Sequence, residues 1–274
     1  KFSFVSDANA TDVGDLSQAR TASSPGPSST NGYNLGGILG PPGGTDTIDR
    51  FPFAADTNAT DIANLTEVKG DASGHSSTTH AYMAGGQTFT PTIYSTIERM
   101  PFASDSDGGT DIGDITSAQT AQGSGHSSTT HGYVSNFKDP AITNVIEKFP
   151  FALDSVTSTD VGDLTQARWG AASQSSSTHG HSAGGSTTGP GNNVNTIDKF
   201  PFASDNNAGD VGDRTISNRG VSGSSSTASG YSSGGFTSPT NSNVIDKFPF
   251  SVDTDASDVG DLTNARNGGS GQQV

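Results

Sequence analysis

Three features of the sequence predict an all-β protein arranged as a β-propeller of about six blades. A Phe-Pro-Phe element recurs about every 49 residues along the 274-residue chain. Each repeat contains four short strand-like segments separated by clusters of Gly, Ser, Thr, Asn or Asp. Stretches with the 3.6-residue period of a helix are absent from the sequence, because these small residues interrupt every window. A repeat of this length is typical of propellers and solenoids, whose stacked units share one continuous core.

Four strands are predicted in each repeat, and each has its own composition. The first, as in residues 168–172, follows a basic residue and is rich in small residues. The second contains Gly-Tyr and ends at Gly-Gly, as in residues 230–235, and the fourth is a polar stretch such as residues 160–164. The third, residues 145–151, is apolar on both faces, so both faces need cover from neighbouring units. Pro150 cannot donate to a ladder, so we expect strand pairing to weaken there.

The repeats also predict the organisation of the whole chain. Phe2 falls in a third strand and residues 269–274 fall in a first strand, with five complete units between Arg20 and Leu262. We expect residues 1–274 to form a single propeller domain whose last blade is a composite of both terminal half-blades. We also expect the chain to be a fragment of a longer one. An open array of repeats is the alternative.

Composition excludes several classes of function. The formal net charge is −15, from 28 acidic and 13 basic residues, so direct binding of nucleic acid or of an anionic membrane is not expected. The chain has no cysteine, which excludes disulfides and thiolate chemistry. No apolar run reaches the length of a membrane span, so membrane insertion is not expected either.

The order of features in each repeat resembles the kelch repeat of β-propellers. A basic residue, a small-residue strand, an aromatic residue with Gly-Gly, an apolar strand and a polar strand follow one another at fixed spacing. Asn136-Phe137 replaces one Gly-Gly pair, and the Trp of the kelch fourth strand is replaced by Asp-Val-Gly-Asp. The repeated structural positions are Phe51, Phe53, Phe149, Phe151, Phe200, Phe202, Phe248, Phe250, Gly85, Gly86, Gly184, Gly185, Gly234, Gly235, Arg20, Arg168, Arg219 and Arg266.

A second resemblance concerns function. The Phe-Pro-Phe and Asp-Val-Gly-Asp-Leu-Thr segments are similar to repeat-rich structural proteins of marine bacteriophages. This resemblance implies a fibre, appendage or decoration protein at a virion surface.

Acidic loops connect the third and fourth strands, as in DANATDVGD at residues 7–15. Carboxylate and amide oxygens at this spacing suit Ca²⁺, the one cofactor that the sequence suggests. Asp and Asn also form turns by accepting hydrogen bonds from their own backbone. Both interpretations stay open at this stage. The candidate calcium ligands are Asp7, Asp12, Asp15, Asp105, Asp107, Asp111, Asp114, Asp253, Asp255, Asp258 and Asp261.

Two further features have a structural and a functional interpretation each. The repeated arginines could hold a carboxylate such as Asp15 or Asp163 and join one strand connection to the next, or they could form a ring that binds an anionic sugar. Trp169 is the only tryptophan and has no counterpart in the other repeats. It is either a platform on which a sugar stacks or a local variant of the packing. Residues 38–47 form a longer connection that could contact a neighbour.

The sequence therefore predicts a non-enzymatic structural or adhesion module, because no catalytic constellation is recognisable in the repeats. Its expected location is extracellular or on a virion surface. Its expected partners are other structural proteins or copies of itself, with a cell-surface glycan as the additional candidate. The alternative function is an extracellular, lectin-like propeller that binds glycans through its loops.

Overall fold

The computed structural model describes residues 1–40, 43–88, 92–119, 123–138, 141–188 and 191–272, and it leaves the side chains of residues 118–119 undescribed. All regular structure in these ranges is β-structure, with no helix. Five antiparallel sheets of four strands follow one another around a ring, and the strands of each sheet run in chain order from the axis outward. The predicted all-β, propeller-like fold is confirmed at this level.

The strands keep the four positions predicted for each repeat. Sheet 1 contains β1 (Ser24–Pro25), β2 (Asn31–Gly40), β3 (Gly43–Pro52) and β4 (Thr60–Asn64). Sheet 2 contains β5 (Ser73–Ser76), β6 (His80–Ala84), β7 (Tyr94–Pro101) and β8 (Thr110–Gln119). Sheet 3 contains β9 (Ser124–Ser127), β10 (His131–Ser135), β11 (Val145–Pro150) and β13 (Thr159–Asp163). A short strand, β12 (Val156–Thr157), pairs in parallel with β8 and joins sheet 3 to sheet 2.

The remaining two sheets repeat the same plan. Sheet 4 contains β14 (Ala172–Ser175), β15 (His179–Ala183), β16 (Thr196–Pro201) and β17 (Gly209–Asp213). Sheet 5 contains β18 (Ser222–Ser225), β19 (Ser229–Ser233), β22 (Val244–Pro249) and β23 (Ser257–Asp261). A small hairpin of β20 (Phe236–Thr237) and β21 (Thr240–Asn241) lies between β19 and β22. Every third strand ends at its proline, as β11 does at Pro150, because proline has no N–H to continue the ladder.

The prediction of a composite sixth blade was wrong. Among residues 1–23 and 262–272 the structure places no strand, so the ring contains five sheets. The two terminal segments instead pack between sheet 5 and sheet 1. The N–H of Ala10 donates to the carbonyl of Asp261 at 2.8 Å, and the N–H of Ala22 donates to the carbonyl of Gly268 at 3.0 Å. A full sheet does not form because no described segment occupies the second-strand position there.

Aromatic rings pack each sheet against the next. The Tyr or His of each second strand stacks on the second Phe of the Phe-Pro-Phe element in the next repeat around the ring. The ring centroids of these pairs are 4.5–5.0 Å apart. The first Phe lies across the ladder from a glycine, as Phe200 does from Gly180. These contacts account for both apolar faces of the third strand. The stacked pairs are Tyr33–Phe102, Tyr82–Phe151, Tyr133–Phe202, His181–Phe250 and Tyr231–Phe4.

The Gly-Gly pairs supply a backbone conformation that other residues rarely adopt. Gly184 and Gly185 have φ values of 76° and 105°, and Gly85, Gly86, Gly234 and Gly235 repeat this geometry. In sheet 3 the first glycine is replaced by Asn136, whose φ is 58°. Asn tolerates the left-handed region better than most residues, so this departure from the repeat preserves the turn.

The antiparallel order places the connections at two opposite ends of the ring. Connections between the first and second strands and between the third and fourth strands share one end, which we call the uniform end. There the first turn is three residues long in four of the five sheets, as at residues 77–79. Connections between the second and third strands share the other end with the links between sheets. We call it the variable end because these connections differ in length and sequence.

Candidate functional site

A ring of ion pairs surrounds the uniform end. The basic residue before each Phe-Pro-Phe element pairs with the first Asp of the acidic loop in the following repeat. Arg99 and Asp154 approach to 2.6 Å, and Lys247 and Asp7 approach to 2.8 Å across the junction of the two termini. The hydrogen bond from Lys247 to Asp7 raises the pKa of this lysine. The other pairs are Lys1–Asp56, Arg50–Asp105, Lys148–Asp205 and Lys199–Asp253.

The candidate calcium ligands are engaged in these pairs and in turns. Asp7, Asp105 and Asp253 each accept from a basic residue of the preceding repeat. Asp111 and its counterparts Asp12 and Asp258 accept from the glycine N–H two residues later, at 2.9–3.3 Å. Asp114 accepts from Ser95 at 2.7 Å, and Asp255 accepts from the N–H of Asp213 at 2.9 Å.

No group of three or more His, Asp or Glu side chains within the described ranges is close enough to hold a metal ion. The contacts of Asp12, Asp111 and Asp258 are of the kind that the turn interpretation predicts, whereas the ion pairs of Asp7, Asp105 and Asp253 were predicted by neither interpretation. Within the described residues, Asp15, Asp107 and Asp261 do not form a metal-binding cluster with the other candidate ligands. Calcium binding by these loops stays a prediction that the described geometry does not favour.

In sheets 1, 2 and 4, a buried ion pair joins the segment before the first strand to the third strand. Arg20 pairs with Asp49 at 3.0 Å and Arg168 pairs with Asp198 at 3.0 Å, and all four side chains are fully buried. Lys69 pairs with Glu98 at 2.9 Å in the same position of sheet 2. The expected acidic partners, Asp15 and Asp163, were therefore wrong. The arginine holds the acidic residue of its own third strand, and it joins strands within a sheet.

Hydrogen bonds hold some of the remaining atoms of these pairs, whereas Arg168 Nη1 and Asp49 Oδ1 are buried without a hydrogen-bond partner. Asp198 accepts from the N–H of Thr165 at 3.0 Å and from its hydroxyl at 2.6 Å, while Arg168 donates to the carbonyl of Ser182 at 3.0 Å. Burial lowers the pKa of Arg168, and the adjacent Asp198 opposes this shift. A guanidinium enclosed in this way is inaccessible to an external anion. The alternative of an arginine ring that binds an anionic sugar therefore fails for Arg20 and Arg168.

Sheet 5 supplies its buried cation from a different position. The residue equivalent to Arg168 is Asn218, and Arg219 is shifted by one position from the site that the repeat pattern suggested. Arg214 reaches into the same buried place, pairs with Asp246 at 3.2 Å and donates to Asn218. Arg266 also departs from the pattern, because it is exposed and its side chain donates to the hydroxyl of Thr263 and the carbonyl of Asn264.

Arg219 belongs instead to an aromatic stack at the variable end. Its guanidinium lies 5.2 Å from the ring centre of Trp169 and 4.9 Å from that of Phe236. Asn193 accepts from Arg219 at 3.4 Å and donates to the carbonyl of Phe236 at 3.1 Å. All four residues are half-buried. Trp169 and Arg219 hold the same position in consecutive repeats, and they are brought together between sheets 4 and 5.

The variable end carries other non-repeated features. The longer connection at residues 38–47 lengthens the hairpin of β2 and β3, so that each of these strands has ten residues. Leu39 is 45% exposed in this extension. The tips of several connections at this end, residues 41–42, 89–91, 139–140 and 189–190, lie outside the described ranges.

Three histidines are enclosed between sheets and act as packing residues. His75 and His126 meet the edges of the Phe149 and Phe200 rings and bond through Nδ1 to carbonyls of the next first strand. Burial lowers the pKa of His75 to about 4 and that of His126 to about 3. His181 is stacked on Phe250, and burial lowers its pKa to about 3 as well. These rings are neutral at physiological pH and are shielded from any substrate.

The axis of the ring is narrow because the first strands touch backbone to backbone. Gly74, Gly125 and Gly223 face the backbone of the preceding first strand so closely that a Cβ would overlap it. The axial cavity has a volume of about 70 Å³ and is lined mainly by Gly, Ser and Ala, together with Pro25, Asp71 and Val221. That is room for a few water molecules, whereas pockets for small organic ligands span roughly 300–1,000 Å³.

Comparison with known proteins supports the fold. No family model matches the sequence, and the search of curated proteins found no match. Among solved structures, that of YjhT matches with a TM-score of 0.74 at 12% sequence identity, covering 94% of this chain and 88% of that chain. At this identity the likeness shows the fold alone. No helix within the described ranges is long and apolar enough to cross a membrane.

Proposed function

We propose that the protein is a non-enzymatic structural or adhesion module at an extracellular or virion surface, such as a fibre or appendage of a virus particle. Its contact face is the variable end. The partners are other structural proteins of the same particle or further copies of the chain. The resemblance of its repeats to kelch units and to phage structural proteins supports this assignment.

The observation that carries the proposal is the uneven distribution of sequence variation over the ring. Ion pairs at the uniform end, buried ion pairs and stacked rings recur from sheet to sheet, so they maintain the scaffold. The connections at the variable end differ from one another, and they carry the stack of Trp169, Arg219 and Phe236. Loops on a rigid scaffold are where binding residues concentrate. An attachment module requires a rigid ring with one face whose loops differ in sequence, so that this face can recognise a specific partner.

The chemistry of the described residues supports a non-catalytic role. The axial cavity has room for only a few water molecules. Histidines with perturbed pKa values are sealed between sheets, and most buried acids are paired with a basic side chain. Perturbed titratable groups mark catalytic sites when they line a cleft. Here they lie in the packing between sheets.

The experiment follows the chain in its native source by density-gradient fractionation with peptide mass spectrometry. A structural role predicts that the chain co-sediments with particles at a fixed copy number per particle, before and after a high-salt wash. Recovery in the soluble fraction alone would rule the role out. Peptides from an abundant non-particle protein serve as the control for contamination.

A glycan-binding function is the second candidate, and the stack at the variable end favours it. Aromatic rings form platforms for sugars, and Trp169 leaves part of its ring exposed beside Arg219. On a glycan array the chain would bind a defined set of sugars, and Trp169→Ala would reduce that binding at least tenfold. Val252→Ala is the matched control, because Val252 is 59% exposed at the uniform end. Equal loss in both variants would contradict a site at Trp169.

A further inference from the structure

The aromatic stack at the variable end contains a cation that no acidic side chain of the described residues neutralises. Ten basic side chains in the described ranges form ion pairs with an aspartate or a glutamate. Arg219 forms no such pair there, although the sequence has 28 acidic residues for 13 basic ones. Its charge is therefore available to a group outside the chain.

Two aromatic rings hold the guanidinium of Arg219 in place. Its centre lies 5.2 Å from the centre of the Trp169 ring and 4.9 Å from that of Phe236. Its Nη1 donates to the side-chain oxygen of Asn193 at 3.4 Å, and its carbonyl accepts from the N–H of Phe236 at 2.7 Å. A ligand would find this side chain already ordered, which lowers the entropic cost of binding.

The other edge of the guanidinium faces solvent. Within the described residues, Nε and Nη2 of Arg219 donate no hydrogen bond, and neither atom is among the buried polar atoms that lack a partner. Buried atoms of that kind do occur on Arg20 and Arg168. Nε and Nη2 lie side by side in the plane of the guanidinium. They form an edge that can bind both oxygens of a carboxylate through two parallel hydrogen bonds.

A cation at the position of Arg219 is not part of the repeated scaffold. This position pairs with the residue after each Gly-Gly turn, as Arg219 pairs with Phe236. The equivalent residues in the other described repeats are Thr21, Gly70, Trp169 and Asn267. Because the other sheets form without a cation here, Arg219 can serve a contact that belongs to one part of the ring.

We propose that Arg219 binds the carboxylate of a glutamate or aspartate on a protein partner that docks at the variable end. Trp169 and Phe236 would contact the methylene groups and apolar neighbours of this acidic residue. Tryptophan and arginine are enriched among the residues that dominate binding energy at protein interfaces. The inference rests on the proposed function in taking the variable end as the contact face, and it names the chemistry of the partner.

Two contacts of Trp169 favour a protein over a sugar as the source of the carboxylate. Its indole N–H already donates to the carbonyl of Thr188 at 3.4 Å, and Arg219 covers one face of its ring. A stacked sugar would use such a face together with nearby polar groups. A carboxylate needs only the open edge of Arg219.

The only tryptophan of the chain lies in this site, so its fluorescence reports binding there without a label. The test titrates the full chain with a capped peptide that has a central glutamate between leucines, and with its glutamine counterpart. We expect a saturable change in emission with the glutamate peptide in the millimolar range. The glutamine peptide should bind about tenfold more weakly, because a neutral amide replaces the carboxylate.

Variants of the full chain separate the guanidinium edge from charge alone. Arg219→Lys should weaken binding of the glutamate peptide several-fold, because an ammonium cannot form the two parallel hydrogen bonds. Arg219→Gln should reduce it to the level of the glutamine peptide. Arg266→Gln is the matched control, because Arg266 is an exposed arginine outside the stack, and it should leave binding unchanged. Calorimetry on the same variants provides an affinity that does not depend on the emission of Trp169.

Three results would overturn the proposal: no saturable binding of the glutamate peptide by either method, equal affinity for the two peptides, or unchanged affinity in Arg219→Gln. Tighter binding of trigalacturonic acid than of the glutamate peptide would overturn it as well, and would assign the site to an acidic glycan. Failure of the attachment role is distinguishable from these results, because peptide binding is measured on the purified chain and co-sedimentation on particles.

Discussion

The contact between Gly180 and Phe200 can be tested by exchanging it for the pair that sheet 2 uses. Gly180 lies opposite Phe200 in the ladder of β15 and β16, and a Cβ at this glycine would overlap the Phe ring. In sheet 2 the same two positions hold Ala81 and Met100, which are both buried. The methionine leaves room for the alanine methyl group. We therefore expect Phe200→Met to restore much of the stability that Gly180→Ala removes.

The magnitudes follow from the packing. Overpacking a well-filled contact destabilises the folded state by about 1–3 kcal/mol. Gly→Ala at an ordinary φ stabilises the folded state by about 0.4–1 kcal/mol, because alanine lowers the conformational entropy of the unfolded chain. Gly180 is not among the glycines with positive φ, so backbone strain does not enter. Gly180→Ala should lose about 1–2 kcal/mol, and Phe200→Met alone about 1–2 kcal/mol through lost ring contacts with His126 and Tyr133. The double variant should lose less than their sum by at least about 1 kcal/mol.

The assay is urea unfolding, with the slope of free energy against urea checked for constancy among variants. Gly209→Ala is the control, because a Cβ there meets nothing within 4 Å and φ is ordinary. That variant should be neutral or slightly more stable. Losses that add to within about 0.3–0.5 kcal/mol in the double variant would refute the steric explanation of the glycine.

Two further predictions concern buried charge. Arg168→Met should destabilise the protein by about 3–5 kcal/mol because it leaves Asp198 buried without its cation, and Arg168→Met with Asp198→Leu should recover a large part of this. Urea unfolding measures both, and a double variant as unstable as the single one would contradict the argument. The pKa of His126 is about 3 in the folded protein, below its ordinary value of 6.5, so the unfolded chain binds the proton first as pH falls. Stability contributed by this ring is complete above pH 6.5 and is lost below it by about 1.4 kcal/mol per pH unit. In His126→Gln the dependence of unfolding free energy on pH between 6.5 and 5 should be shallower by that amount, and parallel curves would refute it.

The repeat pattern was sufficient to predict the architecture of each sheet. Phe149 and Phe151 lie on one face of the third strand and Ile146 lies on the other, so both faces need cover, and this requirement gave the third strand and its packing between sheets. Gly184-Gly185 marked a turn because glycine alone readily adopts those φ values. The number of sheets was predicted wrongly because a strand position can be occupied by a segment that forms no ladder.

Partners of charged residues could not be derived in the same way. Arg168 is near Asp163 in sequence but pairs with Asp198, because the fold brings the segment before the first strand next to the third strand of the same sheet, 30 positions along the chain. The ring of ion pairs at the uniform end was not predicted. A basic residue at the position of Lys148 and an aspartate at the position of Asp205 nevertheless recur in every repeat. Arg219 was assigned to the position of Arg168, but it lies one residue further along the repeat. In sheet 5 the buried cation that pairs with the third-strand acid is Arg214.

The junction of the two termini has a consequence for how the protein folds and opens. Hairpins within a sheet join residues that are close in the chain, whereas Lys247 and Asp7 are separated by 240 residues. Closing a loop costs entropy that grows only slowly with length, by about 0.6 kcal/mol per doubling, so the ring can close once its sheets exist. Contacts of such long range form late, and the region with the fewest ladder hydrogen bonds opens first. The termini are therefore both the last part of the ring to assemble and the place where it begins to come apart.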